Sequence, residues 1–544
     1  MSSSKTNKYE LPTELLLFIA AFSSRQSLGR LCCVSRRFCS VFVYPLHENI
    51  LDLDARQSLL LASTLRDANP PSWRPHPAEL IRTLMLTDAD GDVQWFALEG
   101  KRTIENLFRC VPGGGGSPLR TLHWSVSSFM DDLGRLLLTP GNFPHLKELF
   151  VKSYGMNRNF LFIHKGGLDT FSLDLTVNLD DDDESALIHK LGESMLLLPI
   201  TSPALRSLRL GLDLWYDDDL QFHGSDDFVN AINSLHFPCL EKLDLHVTFT
   251  SSNDTSEYGD AGDSMDYTPF LAAHPQLVDL SLWVIGTDPV EYHPLFSNLR
   301  SFKGDSQDIG SLLKHQPQNL DTLVIVLLHD NYYSTDLSTL PTHTLLTKLT
   351  VAAKQGDDSV LKKPNEVSPE TFTALVSSFP NLQHLDICIS DTMSNYLTDL
   401  IRLTKLETLR VHEYRRKKIP PNQLLAKAFP SARYAHPISK HLVPALPRLA
   451  SVEVHLLIDN LDLLHHSDAL YCVCDECERD RENEFILVAA EIEITYRFAV
   501  VRRRPTSGEV PPPWVILEWS DFRDSDERLS SGLYNNKLTP WSDT

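Results

Sequence analysis

At 544 residues the chain is long enough for several domains or one large repeat array, and its 42% hydrophobic content suffices for a packed core and argues against wholesale disorder. Its 72 acidic and 50 basic residues give a formal charge of −22, which disfavours nonspecific binding to nucleic acid or to anionic membranes. The longest strongly apolar run, Leu15 to Phe22, is far shorter than a membrane span, and Met1 to Lys8 holds no apolar signal core, so an intracellular protein is expected.

Residues 1–8 read as a disordered tail. In residues 9–50, Pro12 suits the first turn of a helix, where its missing N–H costs nothing. Leu11, Leu15, Phe18, Ile19 and Phe22 then recur at helical spacing as one apolar stripe. Ser27 is a candidate cap for a second helix, whose stripe is Leu28, Leu31, Val34, Phe38 and Phe42. Short helices of this kind cannot bury their apolar faces alone and need a partner or the rest of the chain.

Leu11-Pro12-Thr13-Glu14-Leu15, followed by Val34-Ser35-Arg36-Arg37-Phe38, resembles an F-box. This is the helical module by which substrate receptors dock onto the adaptor of SCF ubiquitin ligases. The resemblance implies an interface with a Skp-family adaptor, and through it with cullin and RING subunits. It places Leu11, Pro12, Leu15, Ile19, Leu28, Leu31 and Val34 at or near that interface.

Residues 51–79 read as a linker, stiffened by the prolines between Asn69 and Pro77. From residue 80 to about 460 the pattern Leu-x-x-Leu-x-Leu, with apolar replacements, returns at intervals of 21 to 43 residues. It starts at Ile81, Leu119, Leu146, Leu168, Leu205, Leu240, Leu277, Leu320, Leu346, Leu382, Leu406 and Leu449, with a truncated copy at Leu299. Several copies follow a proline, as at Phe143-Pro144 and Phe379-Pro380. Each copy predicts one short strand of a parallel sheet, its leucines pointing inward. Phe228, Val229, Ile232 and Leu235 predict a helix between strands, as do Phe372, Leu375, Val376 and Phe379 behind the cap Ser368 and Pro369. Leu397, Leu400 and Ile401, and Leu424, Leu425 and Ala428, extend the series. The array resembles the irregular leucine-rich repeats of F-box proteins.

Acidic stretches at Asp180–Glu184 and Asp217–Asp219, and the glycines 113–116, lack the residue order of a calcium or phosphate loop and read as solvated turns. Residues 461–484 form a cysteine-containing loop. Cys472, Cys474 and Cys477, with His465 and His466 upstream, hold enough soft ligands for zinc. Their spacing fits no common zinc pattern, so free thiols are expected and no metal or cofactor is assigned. Cys32, Cys33, Cys39, Cys110, Cys239 and Cys388 read as buried thiols. Arg415-Arg416-Lys417-Lys418 is a solvated turn or an import signal, which leaves cytoplasmic residence as the expectation and nuclear as its alternative.

In residues 485–544, Ile492, Ile494, Tyr496 and Phe498 alternate with polar residues, and Trp514 to Trp519 reads as a second strand. A terminal β-hairpin would cover the end of the array, and the last fifteen or so residues should fray. The expected fold is therefore α/β: an N-terminal helical F-box, then a leucine-rich-repeat solenoid with a parallel sheet and helices, closed by a C-terminal β-hairpin.

No nucleophile motif or metalloprotease motif is present, and no catalytic residue is assigned. The resemblance implies a non-catalytic substrate-recognition subunit. The rival is a leucine-rich-repeat scaffold whose N-terminal helices are only a cap; a metal-dependent protein centred on the cysteine loop is a third class. For the protein substrate, residues flanking the last two leucines point outward. Most are small or polar, but Phe150 and Trp283 are large aromatics in that register. With Arg209, His246, Arg410 and His412 they are the expected substrate-binding set.

Overall fold

The computed structural model describes residues 13–53, 60–61, 63, 65, 76–87, 118–125, 130–139, 141–154, 160–179, 184–216, 225–251, 266–284, 296–327, 340–353, 367–390, 392–416, 432–459, 491–502, 514–524 and 539–541. It divides into two compact units, Met1–Leu277 with Ser281–Val290, and Val278–Leu280 with Glu291–Thr544.

Unit one opens with three helices, α1 (Thr13–Ala21), α2 (Arg25–Cys32) and α3 (Arg36–His47). Ser24, not Ser27, caps α2: its side chain accepts the Ser27 N–H. Ser35 caps α3 in the same way through Phe38. These hydroxyls satisfy donors that the helix leaves unpaired.

Seven parallel strands follow among the described residues of this unit: β1 (Asn49–Leu53), β2 (Thr83–Thr87), β3 (Thr121–Ser125), β4 (Glu148–Tyr154), β5 (Thr170–Leu179), β6 (Ser207–Tyr216) and β7 (Lys242–Ser251). Between them lie α4 (Met130–Leu138), α5 (Glu184–Met195) and α6 (Ser225–Asn233). β1 runs into the segment read as a linker, since Leu53 already pairs with Leu86 of β2 after an irregularity beyond Ile50. The strand β8 (Asp279–Val284) is shared between the units.

Unit two carries six parallel strands among its described residues, β9 (Ser301–Gly304), β10 (Thr322–Leu327), β11 (Lys348–Ala353), β12 (His384–Ile389), β13 (Thr408–Arg416) and β14 (Ser451–Asp459). Helices α7 (Ser306–Lys314) and α8 (Pro369–Ser378) alternate with them, and Ser368 caps α8 with Pro369 in its first turn. Strands β15 (Glu491–Arg502) and β16 (Trp514–Asp524) form the hairpin, β15 lying antiparallel to β14. A short β17 (Thr539–Trp541) pairs with β16 inside the segment expected to fray. Residues Leu424, Leu425 and Ala428 lie outside the described residues.

The repeat pattern dictates this arrangement. Every motif begins two residues before its strand, and the strands pair without slippage from Thr83 through Thr121, Glu148, Thr170 and Ser207 to Lys242. Equivalent leucines therefore stack in rows: Leu84, Leu122, Leu149, Phe171, Leu208 and Leu243 are all buried. A second device fixes the start of the parallel strands β2 to β7 and β9 to β14. One carbonyl accepts two successive N–H groups of the next repeat, as Arg82 O does from Arg120 and Thr121, and Asp321 O from Thr347 and Lys348. A start that satisfies two donors at once leaves no slack for a register shift.

Leu349 and Thr350 are neighbours on β11, one buried in the leucine row and one on the outer face. Leu349→Ala should destabilise unit two by about 2–5 kcal/mol, and Thr350→Ala by less than about 0.5 kcal/mol. Urea denaturation of both variants checks this.

Candidate functional site

Two surfaces carry the residues singled out from the sequence. The first is the N-terminal helical segment. Its interior is Leu16, Ala20, Leu28 and Phe42, with Leu31, Phe38 and Val41 packed against them. Cys39 and Val43 of α3 dock the segment onto Leu80 at the foot of the array. The stripe read from the sequence is the outer side of α1, not the inner one: Leu15, Ile19, Phe18 (64% exposed) and Phe22 (78%) face solvent. Leu17, Val34 and Tyr44 are exposed as well. The rings of Phe18 and Phe22 lie 4.9 Å apart. Of the expected adaptor-facing residues, Leu15, Ile19 and Val34 are exposed and Leu31 is half-buried. Leu28, at 4% exposure, belongs to the interior because α2 turns it toward Leu16 and Phe42. Leu11 and Pro12 lie outside the described residues.

The second surface is the outer face of the sheet. In unit one, Phe150 is half-buried and stacks on His123, the residue opposite it on β3, with centroids 4.1 Å apart and planes at 2°. Trp283 lies 5.8 Å from the ring of His246. Between these ring pairs, Arg209 reaches Asp174 at 3.2 Å and Asp244 at 3.6 Å. The Asp174 carboxylate occupies the space over Gly211, its opposite on β6, where any Cβ would collide with it. The absent side chain is thus what lets Asp174 meet Arg209.

In unit two the same register builds a longer charged row. Arg410 bridges Asp386 (3.3 Å) and Glu453 (3.0 Å), and Arg497 of β15 closes on Glu453 at 2.8 Å. His412 meets Asp386 at 2.9 Å and stacks on His455, 4.6 Å away. Burial pushes both carboxyls up, yet both end below their ordinary values. The hydrogen bond and charge of His412, with those of Arg410, outweigh burial at Asp386. Arg497 and Arg410 do the same at Glu453. Burial alone would lower the Arg410 guanidinium, but Glu453 and Asp386 raise it.

The six expected substrate-facing residues thus form two sets: Phe150, Arg209, His246 and Trp283 in unit one, and Arg410 and His412 in unit two. The arginines are held between carboxylates instead of standing free. His123, Gly211, Glu453 and Arg497 were not singled out in the sequence. His123 and Glu453 sit at the same motif position as Phe150 and Arg410, so repeat alignment could have found them. Arg497 could not be found that way, because it comes from an antiparallel strand outside the repeats.

Among the described residues no group of three metal-ligating side chains is close enough to hold a metal ion, and no helix is long and apolar enough to cross a membrane. Residues His465, His466, Cys472, Cys474 and Cys477 lie outside the described residues. Cys39 and Cys388 are buried, but Cys33 and Cys239 are exposed, which corrects the expectation of uniformly buried thiols. No protein-family model matches the chain, and no curated protein matches it.

Two outcomes are expected of the charged surfaces. Asp386 and Glu453 bind protons less readily folded than unfolded. Their stabilisation is present above the unfolded values, 3.8 and 4.5, and is lost as the pH falls through the lower folded ones. Asp386→Asn should flatten part of that acid limb in a pH series of denaturation midpoints. Gly211→Ala should displace Asp174 from Arg209 and lower stability by about 1 kcal/mol or less, the scale of an exposed ion pair, as read from the urea midpoint.

Proposed function

We propose that this chain is a non-catalytic substrate-recognition subunit of an SCF-type ubiquitin ligase. The observation that carries the reading is the outer side of α1. A helix that is apolar on all sides is normally buried, yet Leu15, Phe18, Ile19 and Phe22 are exposed, and Val34 adds to the exposed apolar surface. Covering each such side chain is worth about 1.5–3 kcal/mol, so a partner surface is the natural counterpart. The F-box resemblance of residues 9–50 supplies that partner's identity, a Skp-family adaptor that leads to cullin and RING subunits.

On this reading Leu11, Pro12, Leu15, Ile19, Leu31 and Val34 meet the adaptor, and Leu28 supports them from inside. The outer sheet faces capture a protein, with Phe150, Arg209, His246 and Trp283 in one set and Arg410 and His412 in the other. The chain then contributes proximity and orientation to ubiquitin transfer carried out by other subunits. No catalytic side chain, cofactor or metal is assigned to it. Cytoplasmic residence, with a nuclear alternative through the Arg415 run, belongs to the same proposal.

The packing of Cys39 and Val43 on Leu80 favours one second reading. It makes the helices continuous with the array, as a cap on a leucine-rich-repeat scaffold would be.

Co-purification of the full chain with a Skp-family adaptor separates the two. Leu15→Asp with Ile19→Asp should abolish adaptor capture and leave the melting curve unchanged. Phe42→Ala should instead destabilise the helical segment by about 3–5 kcal/mol. Absence of adaptor binding in the unmodified chain would leave the scaffold reading.

A further inference from the structure

His274 opens the turn His274-Pro275-Gln276-Leu277 that leads into β8. Elsewhere in the array this turn position holds a buried Phe at Phe143, Phe237, Phe296 and Phe379, and Ser202, Pro317, Leu403 or Leu446 in other repeats; His343 is a second buried histidine there, its Nε2 3.0 Å from the Pro317 carbonyl oxygen. His274 is equally buried, but its two ring nitrogens carry opposite assignments. Nδ1 lies 2.6 Å from the Phe270 carbonyl oxygen, so it must hold a hydrogen and donate it. Nε2 accepts the Phe237 N–H at 2.9 Å, so it must be bare. Only the neutral imidazole with hydrogen on Nδ1 meets both demands. Gln276, two residues on, donates its side-chain N–H to the Phe237 carbonyl at 2.9 Å. Both backbone polar groups of Phe237, which opens the turn into β7, are thus held by the turn of the next repeat.

Protonation would turn Nε2 into a donor aimed at another donor. It would also place a cation where the described residues supply no paired carboxylate. The ring of exposed His236 lies 5.6 Å away, and a charge there opposes a second cation. Tyr267 leads into the same short helix (Thr268–Ala272) as Phe270, and burial keeps its phenol neutral. The Asp266 carboxylate is engaged by the Thr268 N–H. Burial lowers His274 below its ordinary value of 6.5, and the Phe270 carbonyl offsets this in part. The unfolded chain therefore takes up the proton first. Stability contributed by this site is complete above about pH 6.5 and is lost as the pH falls from there toward the lower folded value.

We propose that His274 is an acid-sensitive latch between the turns that launch β7 and β8. The strands it secures carry His246 and Trp283, so the spacing of that ring pair depends on a neutral His274. The regulatory meaning rests on the reading of this face as a binding surface; the latch itself does not.

Hydrogen exchange of the full-length chain, followed from about pH 7.5 to about pH 5 and corrected for the intrinsic pH dependence of exchange, tests it. Protection of the Phe237 amide should fall as the pH drops, with the amides of 279–284 falling in step. His274→Gln should remove this dependence, since its amide can donate to Phe270 and accept from Phe237 without titrating. Equal loss in both proteins, or none in the unmodified chain, would overturn the latch. Loss at Phe237 with 279–284 unchanged would overturn its coupling to the binding face. Should His274→Gln fail to fold, imidazole nitrogen shifts of the unmodified chain decide: His274 titrating at its ordinary value would end the proposal. Because no partner is needed, a negative result here is distinct from a failure of the receptor reading.

Discussion

Each unit depends on one contact, the stacking of an apolar residue on its counterpart in the next strand. Strands as short as Ser301–Gly304 have no stability by themselves. They persist because Phe302, Leu323, Leu349, Leu385, Leu409 and Val452 bury one another in a continuous row. The doubly bonded carbonyls at the strand starts hold that row in line. Outer-face chemistry follows, since the stacking order that aligns the leucines also sets Asp386, Arg410 and Glu453 side by side.

Energetics separate the two candidate surfaces. The exposed leucines and phenylalanines of α1 represent unused apolar area, and covering it is worth several kcal/mol. The ion pairs of the outer faces are half-exposed and worth little each. Their contribution is geometric: Arg209 and Arg410 are pinned between carboxylates, so their guanidinium groups are pre-placed. Arg497 brings the closing hairpin into the same network, through a strand that runs the other way.

The repeat strands were legible because a leucine at a fixed offset is both the signal and the cause. Leu320 and Leu382 mark their strands in sequence, and both are buried in the rows. β1 was not legible, since Asn49–Leu53 lacks the three-residue motif and only its pairing with β2 reveals it. Ser24 and Ser27 are both competent caps, and the choice between them is made by where the helix turns. Periodicity found the apolar stripe on α1 without telling which side faces inward, because Leu16 and Ala20 on the opposite side are apolar too. At the outer faces, residue type named Phe150 and Arg410, but their partners His123, Glu453 and Arg497 are set by strand pairing.

The shared carbonyl has a consequence for how such a chain tolerates change. Where the carbonyl is shared, register is set locally at the start of the strand, so it does not depend on how much chain lies between two starts. Closing a longer connection costs little, about 0.6 kcal/mol per doubling of length. Intervals of 21 and 43 residues, Leu299 to Leu320 and Leu406 to Leu449, can therefore coexist in one ladder without disturbing the rows. The connections are free to lengthen and vary while the strand that follows each of them begins at the same place.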